Sequence, residues 1–235
     1  IRKWISNYCK SMQKPANSLI IGVSGGIDSS VVSTICAMTG KKTFAVSMPI
    51  KQIKKQHELS VMHQKWLKKK CKNVHTPLIN LDKVFNNFKK SLNKFNSTHG
   101  LANSRSRLRM TTLYQIAQSN NGLVVGTGNK VEDFGVGFYT KYGDGGVDIA
   151  PIADFTKNEV WEMGRELGIL EDIIINILSE LNIDAERKNE CPGGVWANQK
   201  KIAAIGIRIS RGITSHGFSL NISTDLSYFN HIIPC

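Results

Sequence analysis

The sequence predicts an α/β protein with a doubly wound parallel sheet, followed by a partial antiparallel β segment. Three observations carry this. Leu19, Ile20, Ile21 and Val23 form an uninterrupted apolar run, rich in β-branched residues, the pattern of a strand buried on both faces. Similar short runs recur with helical segments between them, as a parallel sheet requires. From Gly194 onward the texture changes to alternating apolar and polar residues in two strand-like runs, KKIAAIGIRIS and TSHGFSLNIS, preceded by a turn at Ala197, Asn198 and Gln199.

The elements follow in order. After the first strand, Val31, Val32, Ile35 and Cys36 recur at helical spacing, and Gly40 ends that helix. Residues 43–48 (TFAVSM) read as a second buried strand. A helix beginning near His57 then turns Leu59, Met62, Trp66 and Leu67 to the core, which leaves Lys65, Lys68, Lys69 and Lys72 on a solvated face. Val74 to Leu78 is a short third strand, and Asp82 is positioned to cap a helix carrying Val84, Phe85, Phe88 and Leu92. Residues 104–119 have helical spacing, and 122–126 (GLVVG) form another buried strand. The loop that follows, as far as Ala153, is longer than compact domains carry without a use for it. Thr156 and Glu159 make a capping box for a helix closing at Gly168, and a second helix covers roughly 170–181.

Composition narrows the setting. The 235 residues suffice for one α/β domain with an appendage, and no run of about 18 apolar residues is present to span a bilayer. Five well-separated cysteines without a Cys-x-x-Cys pair fit a reducing, cytoplasmic setting. The balance of 31 Lys+Arg against 18 Asp+Glu suits an anionic partner. A phosphate-rich small molecule satisfies it, and the missing aromatic-basic stripe speaks against nucleic acid.

The chemistry concentrates in the loops after two strands. In SGGIDSS, residues 24–30, the turn into a helix aims unpaired N–H groups at whatever lies above it, while Gly25 and Gly26 allow close approach and Ser24, Ser29 and Ser30 add hydroxyls. A plain βα turn capped by Ser and Asp satisfies the same pattern. Asp28 favours the phosphate reading, because a carboxylate inside a phosphate cradle is repulsive unless a metal ion lies between. Glu132, in GTGNKVED at the second loop, supplies a second carboxylate, and Lys157 adds a positive charge in the first turn of the capped helix.

The ordered series SGGIDSS, ANSRSRLRM, VVGTGNKVED and GFYTKYGDGGVDIAPIADFTKNEV resembles the ammonia-dependent NAD synthetases, members of the ATP-pyrophosphatase (PP-loop) group. The resemblance covers residues 18–179 and implies the PP-loop, adenine nucleotide alpha hydrolase-like architecture. It implies ATP contacts at Gly22, Val23, Ser24, Gly25, Gly26, Ile27, Asp28, Ser29, Thr127 and Lys157, and Mg²⁺ held by Asp28 and Glu132. Contacts to the substrate deamido-NAD fall on Arg107, Lys141 and Asp148, with Asn103 and Arg109 on the same substrate-binding helix. The implied reaction activates the nicotinate carboxylate as an acyl-adenylate and then releases AMP to ammonia; no side chain acts as nucleophile. The chain leaves no room for a glutaminase domain, so free ammonia is the expected nitrogen donor, and the resemblance implies a homodimer.

The family's closing loop and C-terminal tail beyond residue 170 find no match. Residues 183–235 instead resemble the middle of a lipoate-pathway octanoyltransferase, whose catalytic Lys and Cys correspond to Lys201 and Cys235. A thiolate beside a lysine would be activated for acyl transfer. The expected organisation is therefore a fusion, with residues 1–182 an NAD synthetase-like domain and 183–235 a partial second module. The alternatives are an acyl transferase acting through Lys201 and Cys235, and a tRNA-modifying PP-loop protein.

Overall fold

The computed structural model describes residues 1–188, 190–191, 193–210, 213–224 and 227. The chain divides into two compact units, Ile1–Val160 and Trp161–Cys235.

The first unit opens with helix α1 (Arg2–Ser11), then strand β1 (Ser18–Gly22), helix α2 (Ile27–Ala37), strand β2 (Lys42–Val46), helix α3 (Lys54–Lys70) and the short strand β3 (Val74–His75). Helices α4 (Asp82–Leu92) and α5 (Thr98–Ser119) lead to strand β4 (Gly122–Val124). The sheet order is β3-β2-β1-β4, all parallel. Leu19, Ile20 and Ile21 are fully buried, as a strand covered on both faces must be. Helix α5 covers the face bearing Ile20, where Val46, Met48, Phe85, Met110, Leu113 and Val124 join one core. Helix α2 lies against β1 and β2, and Ser29 to Ala37 are all buried along it.

Strand order reverses at β1, which has β2 on one side and β4 on the other. In open α/β sheets the crevice beyond the carboxyl ends of strands at such a switch point is where ligands bind. The two glycine loops emerge there.

Several local expectations are corrected. Helix α3 starts at Lys54, three residues earlier than expected, and Leu59 is exposed; Ser60, His63, Gln64, Trp66 and Leu67 form its buried side. The lysines at 65, 68, 69 and 72 are exposed as expected. Asp82 does not cap α4: Asn80 Oδ1 accepts from Asp82 N (2.8 Å), and Asp82 Oδ1 accepts from Lys51 N (2.6 Å). Helix α5 begins at Thr98, because Ser97 Oγ accepts from Gly100 N and starts the helix earlier than its apolar spacing shows. Gly25 (φ +90°) is glycine for packing as well as conformation: a Cβ there would lie 2.8 Å from Leu59 Cβ and 2.9 Å from Ser60 N.

Helix α6 (Lys157–Glu166) begins with the expected capping box. Thr156 N donates to Glu159 Oε2 (2.7 Å), and Glu159 N donates to Thr156 Oγ1 (3.4 Å). In the second unit, α7 (Ile169–Glu180) precedes an antiparallel sheet of β5 (Gly194–Ala197), β6 (Lys200–Ser210) and β7 (Ile213–Leu220). Strand β5 is additional to the two expected runs. Asn198 and Gln199, both at positive φ, make the two-residue turn between β5 and β6. Among the described residues no helix is long and apolar enough to cross a membrane.

His63 is 5% exposed, and its Nε2 lies 2.8 Å from Ser33 Oγ. Burial lowers its pKa from 6.5 to about 4. The unfolded chain therefore takes up a proton below pH 6.5 that the folded chain refuses, so stability falls as pH drops through the window from 6.5 to about 4. The loss is on the order of 3 kcal/mol across that window, and His63→Gln should flatten the thermal-melt profile between pH 7 and 5. Gly25→Ala should destabilise by about 1–3 kcal/mol in urea unfolding. It should exceed Gly40→Ala, where φ is also positive but a Cβ meets nothing within 4 Å.

Candidate functional site

The loop from β1 to α2 is held by its own serines. Ser24 Oγ and Ser29 Oγ lie 3.2 Å apart, Gly26 N donates to Ser24 Oγ (3.2 Å), and the Ser29 and Ser30 hydroxyls donate to Gly26 O (2.9 and 3.0 Å). Gly26 is extended (φ −83°, ψ 161°) and caps α2, so the N–H groups of the first turn face the crevice. Ile27 and Asp28 open that helix.

The second loop leaves β4 through Val125, Gly126, Thr127 and Gly128. Val125 pairs with Ile149, and Gly126 N donates to Ile149 O (2.8 Å). A Cβ on Gly126 would lie 2.8 Å from Val147 Cγ2, so the returning chain passes too close for a side chain. The backbone then winds through a single π-helical turn, Val131–Val136, which carries Glu132 and Asp133. Such turns are rare and are frequent at functional sites.

Asp28, Glu132 and Lys157 meet between these loops. Lys157 Nζ donates to Asp28 Oδ2 (2.5 Å) and to Glu132 Oε1 (3.0 Å). Burial opposes the lysine's charge, yet the two carboxylates outweigh it and its pKa is raised. Asp133 has its pKa raised by burial and by the nearby charges of Asp144, Glu132 and Asp28.

A cleft of about 800 Å³ adjoins the same strand ends. Gly22, Val23, Ser24 and Thr127 line its floor, and Asn103, Arg107 and Arg109 of α5 line one wall together with Lys141 of the long loop. Arg107 Nε donates to Lys141 O (3.1 Å), Thr140 Oγ1 donates to Asn103 Oδ1 (2.9 Å), and Ser106 Oγ donates to Asp144 Oδ1 (2.6 Å). These bonds tie the 140–144 loop to α5. Arg109 Nε reaches Met48 O (3.0 Å), fixing the helix to the end of β2, and burial lowers that guanidinium's pKa.

Beyond Gly25, Gly26, Ile27 and Ser29, which build the β1–α2 loop itself, the expected ATP, metal and substrate residues fall into three groups. Gly22, Val23, Ser24, Thr127, Arg107 and Lys141 share the cleft. Asp28, Glu132 and Lys157 form the charged cluster beside it. Asp148 sits apart from both: its Oδ2 accepts from Val124 N (2.8 Å) and its Oδ1 from Tyr114 OH (3.1 Å). Burial and Asp148 push the Tyr114 pKa up to about 12. Asn129, fully buried between the two loops, was not singled out by sequence; its signal was an Asn just ahead of a helical turn.

Among the described residues no group of three or more His, Cys, Asp or Glu side chains is arranged to hold a metal ion. The pair Asp28 and Glu132 nevertheless fits Mg²⁺: both are hard oxygen donors, one cationic nitrogen already lies within bonding distance of both, and Mg²⁺ sites commonly take the remaining ligands from substrate phosphates and water. In the second unit, Lys201 Nζ lies 6.0 Å from the centroid of the Trp196 ring, and Cys235 lies outside the described residues.

Residues 1–178 match the family model for NAD synthase, and residues 139–235 match that for the lipoyl protein ligase A/B catalytic domain. An NH(3)-dependent NAD(+) synthetase of Carboxydothermus hydrogenoformans is 40% identical over 171 residues, covering 70% of this chain and 68% of that protein. One of Mesoplasma florum is 36% identical over 215 residues, covering 87% and 78%. Among solved structures, the NMN synthetase of Francisella tularensis aligns with a TM-score of 0.66 at 32% identity, covering 73% of this chain and 69% of that one. The NH3-dependent NAD synthetase of Campylobacter jejuni, in complex with the nitrate ion, aligns with 0.65 at 31%, covering 74% and 72%. A family model matching 178 of 235 residues, over the unit that carries the two glycine loops and the cleft, establishes that the chain belongs to the NAD synthase family.

Proposed function

We propose that this chain amidates deamido-NAD with ammonia at the expense of ATP, giving NAD, AMP and pyrophosphate through an acyl-adenylate. The observation that carries the reading is the meeting of Asp28, Glu132 and Lys157 at the switch point of the sheet, beside a cleft walled by Arg107 and Lys141. The triphosphate takes the β1–α2 loop, where the first-turn N–H groups of α2 and the Ser24 hydroxyl donate to phosphate oxygens, while Ser29, whose hydroxyl donates to Gly26 O, holds the loop's shape. The backbone of Gly22, Val23, Gly25, Gly26 and Ile27 shapes that cradle, with Thr127 opposite. Asp28 and Glu132 hold Mg²⁺, which supplies charge neutralisation at the phosphates when bound. Lys157 keeps its proton and adds a positive charge at the same point. Arg107 and Lys141 orient the anionic dinucleotide; Asp148, held by Val124 N and Tyr114 OH outside the cleft lining, braces the end of β4.

Attack of the nicotinate carboxylate on the α-phosphate expels pyrophosphate, and ammonia then displaces AMP. Positioning and charge stabilisation are the protein's contribution to both steps. The relatives' names support ammonia as donor, and the resemblance supports a homodimer. The free thiols Cys9, Cys36, Cys71 and Cys191 support a cytoplasmic setting. The family matches, over 1–178 and 139–235, support the order of an ATP-pyrophosphatase module followed by an octanoyltransferase-like segment; the boundary expected between 182 and 183 rests on the resemblance alone. Neither the transferase nor the tRNA-modifying alternative is favoured, because the similar curated proteins are NH(3)-dependent NAD(+) synthetases.

Incubated with deamido-NAD, Mg-ATP and ammonium, the purified chain should release NAD and pyrophosphate in equal amounts; absence of both products overturns the assignment. Asp28→Ala and Glu132→Ala should each lower kcat by about a hundredfold or more. Wild-type rates in both variants would remove the metal from these two residues.

A further inference from the structure

Asn129 is fully buried, and its side chain bonds the Asp28 carboxylate and the Glu132 backbone. Its Nδ2 donates to Asp28 Oδ1 (3.0 Å). Its Oδ1 accepts from Val131 N and from Glu132 N, each at 3.1 Å. The amide orientation follows from its partners: two backbone N–H groups need an acceptor, and an ionised carboxylate needs a donor. The Asn129 carbonyl also accepts from Asp133 N (3.0 Å), so the residue starts the π turn that carries Glu132. Asp28 itself is divided in function: Oδ1 is engaged by Asn129, and Oδ2 is the oxygen presented to Lys157.

We propose that Asn129 is the positioning residue of the cation site, holding the Asp28 carboxylate and the Glu132 backbone in one register so that a divalent ion meets two aligned oxygens. This rests on Asp28 and Glu132 being metal ligands, as the proposed function has them. The residue acts through Asp28 and touches no reacting atom. Partners that orient metal ligands typically contribute about 10–100-fold in affinity or activity.

Serine separates this role from a purely structural one. As a helix-capping residue it matches asparagine, so Asn129→Ser keeps an acceptor for the Val131 and Glu132 N–H groups. Its side chain is too short to reach Asp28. Asn129→Asp, of the same volume, also keeps the acceptor but sets a carboxylate against Asp28, and it serves if the serine variant does not fold.

The test titrates the full chain with Mn²⁺ alone, reading free ion by electron paramagnetic resonance, with a thermal melt recorded on each variant. In the unaltered chain Asp28→Ala should weaken Mn²⁺ binding about tenfold or more. With Asn129 replaced by Ser or Asp, the further change Asp28→Ala should weaken it by less than about threefold, because Asp28 is no longer held. An equal loss from Asp28→Ala in both backgrounds overturns the positioning role and leaves the metal site standing. No loss from Asp28→Ala in the unaltered chain overturns the metal site, and the proposal with it.

Discussion

Two carboxylates placed at the mouth of an anion-directed cradle repel each other and repel the phosphates the cradle attracts, so a cation must stand among them. Two unit charges about 4 Å apart interact by roughly 4 kcal/mol at the effective dielectric near a protein surface, enough to decide a loop's conformation. In this chain Lys157 Nζ meets that requirement, at 2.5 Å from Asp28 and 3.0 Å from Glu132. Each member arrives from a different element. Asp28 comes from the first turn of α2, Glu132 from the π turn after β4, and Lys157 from the capped start of α6. The β1–β4 pairing is what allows it, since it sets residue 28 beside residues more than a hundred positions later.

A lysine in that place is an exchangeable cation. Its ammonium is a point charge on a flexible stem, 30% exposed; under the function proposed above it would follow the phosphates as a metal ion took the carboxylates. The cleft beside it is built to the opposite specification. Arg107, Asn103 and Ser106 are hydrogen-bonded to the 140–144 loop, and Arg109 to Met48 O, so the positive wall is preorganised. One side of the site holds a displaceable charge and the other fixed ones, as suits a reaction in which a charged leaving group departs while the dinucleotide stays oriented.

What could be read from the sequence depended on whether the deciding contact is local. The β1 strand, the SGG turn and the Thr156–Glu159 capping box are set by residues within a few positions of one another, and the structure has them as expected. Leu59 reads as core by spacing but is exposed, because α3 buries Ser60, His63 and Gln64 for hydrogen bonds to Ser47 Oγ, Ser33 Oγ and Ala45 O respectively. Polar residues paired across the fold carry no periodic apolar signal. Asp82 fails as a cap for a related reason: Asn80, two residues earlier, captures its N–H, and the distant Lys51 N takes its carboxylate. Gly25 and Asn129 show the same limit inside the site, where each residue type answers to a partner on another element.

The second unit poses a packing question that motif reading does not reach. The two family matches overlap over residues 139–178, which include all but the last two residues of α7. That helix has Ile174 and Leu178 on one buried side, and they pack with Val195 and Ala203 of the β5–β7 sheet. A three-stranded antiparallel sheet needs an apolar cover on one face to persist in water. Here the cover comes from a helix matched by the NAD synthase model, so the family wording that changes near residue 183 does not mark where burial changes. Glu171 reinforces the union: 3% exposed, it accepts from Gly193 N at 2.9 Å just ahead of β5. A buried carboxylate committed to a backbone amide beside the sheet makes separation of α7 from β5 unfavourable on polar as well as apolar grounds. The physical seam of the chain therefore lies on the N-terminal side of α7, where the two compact units divide.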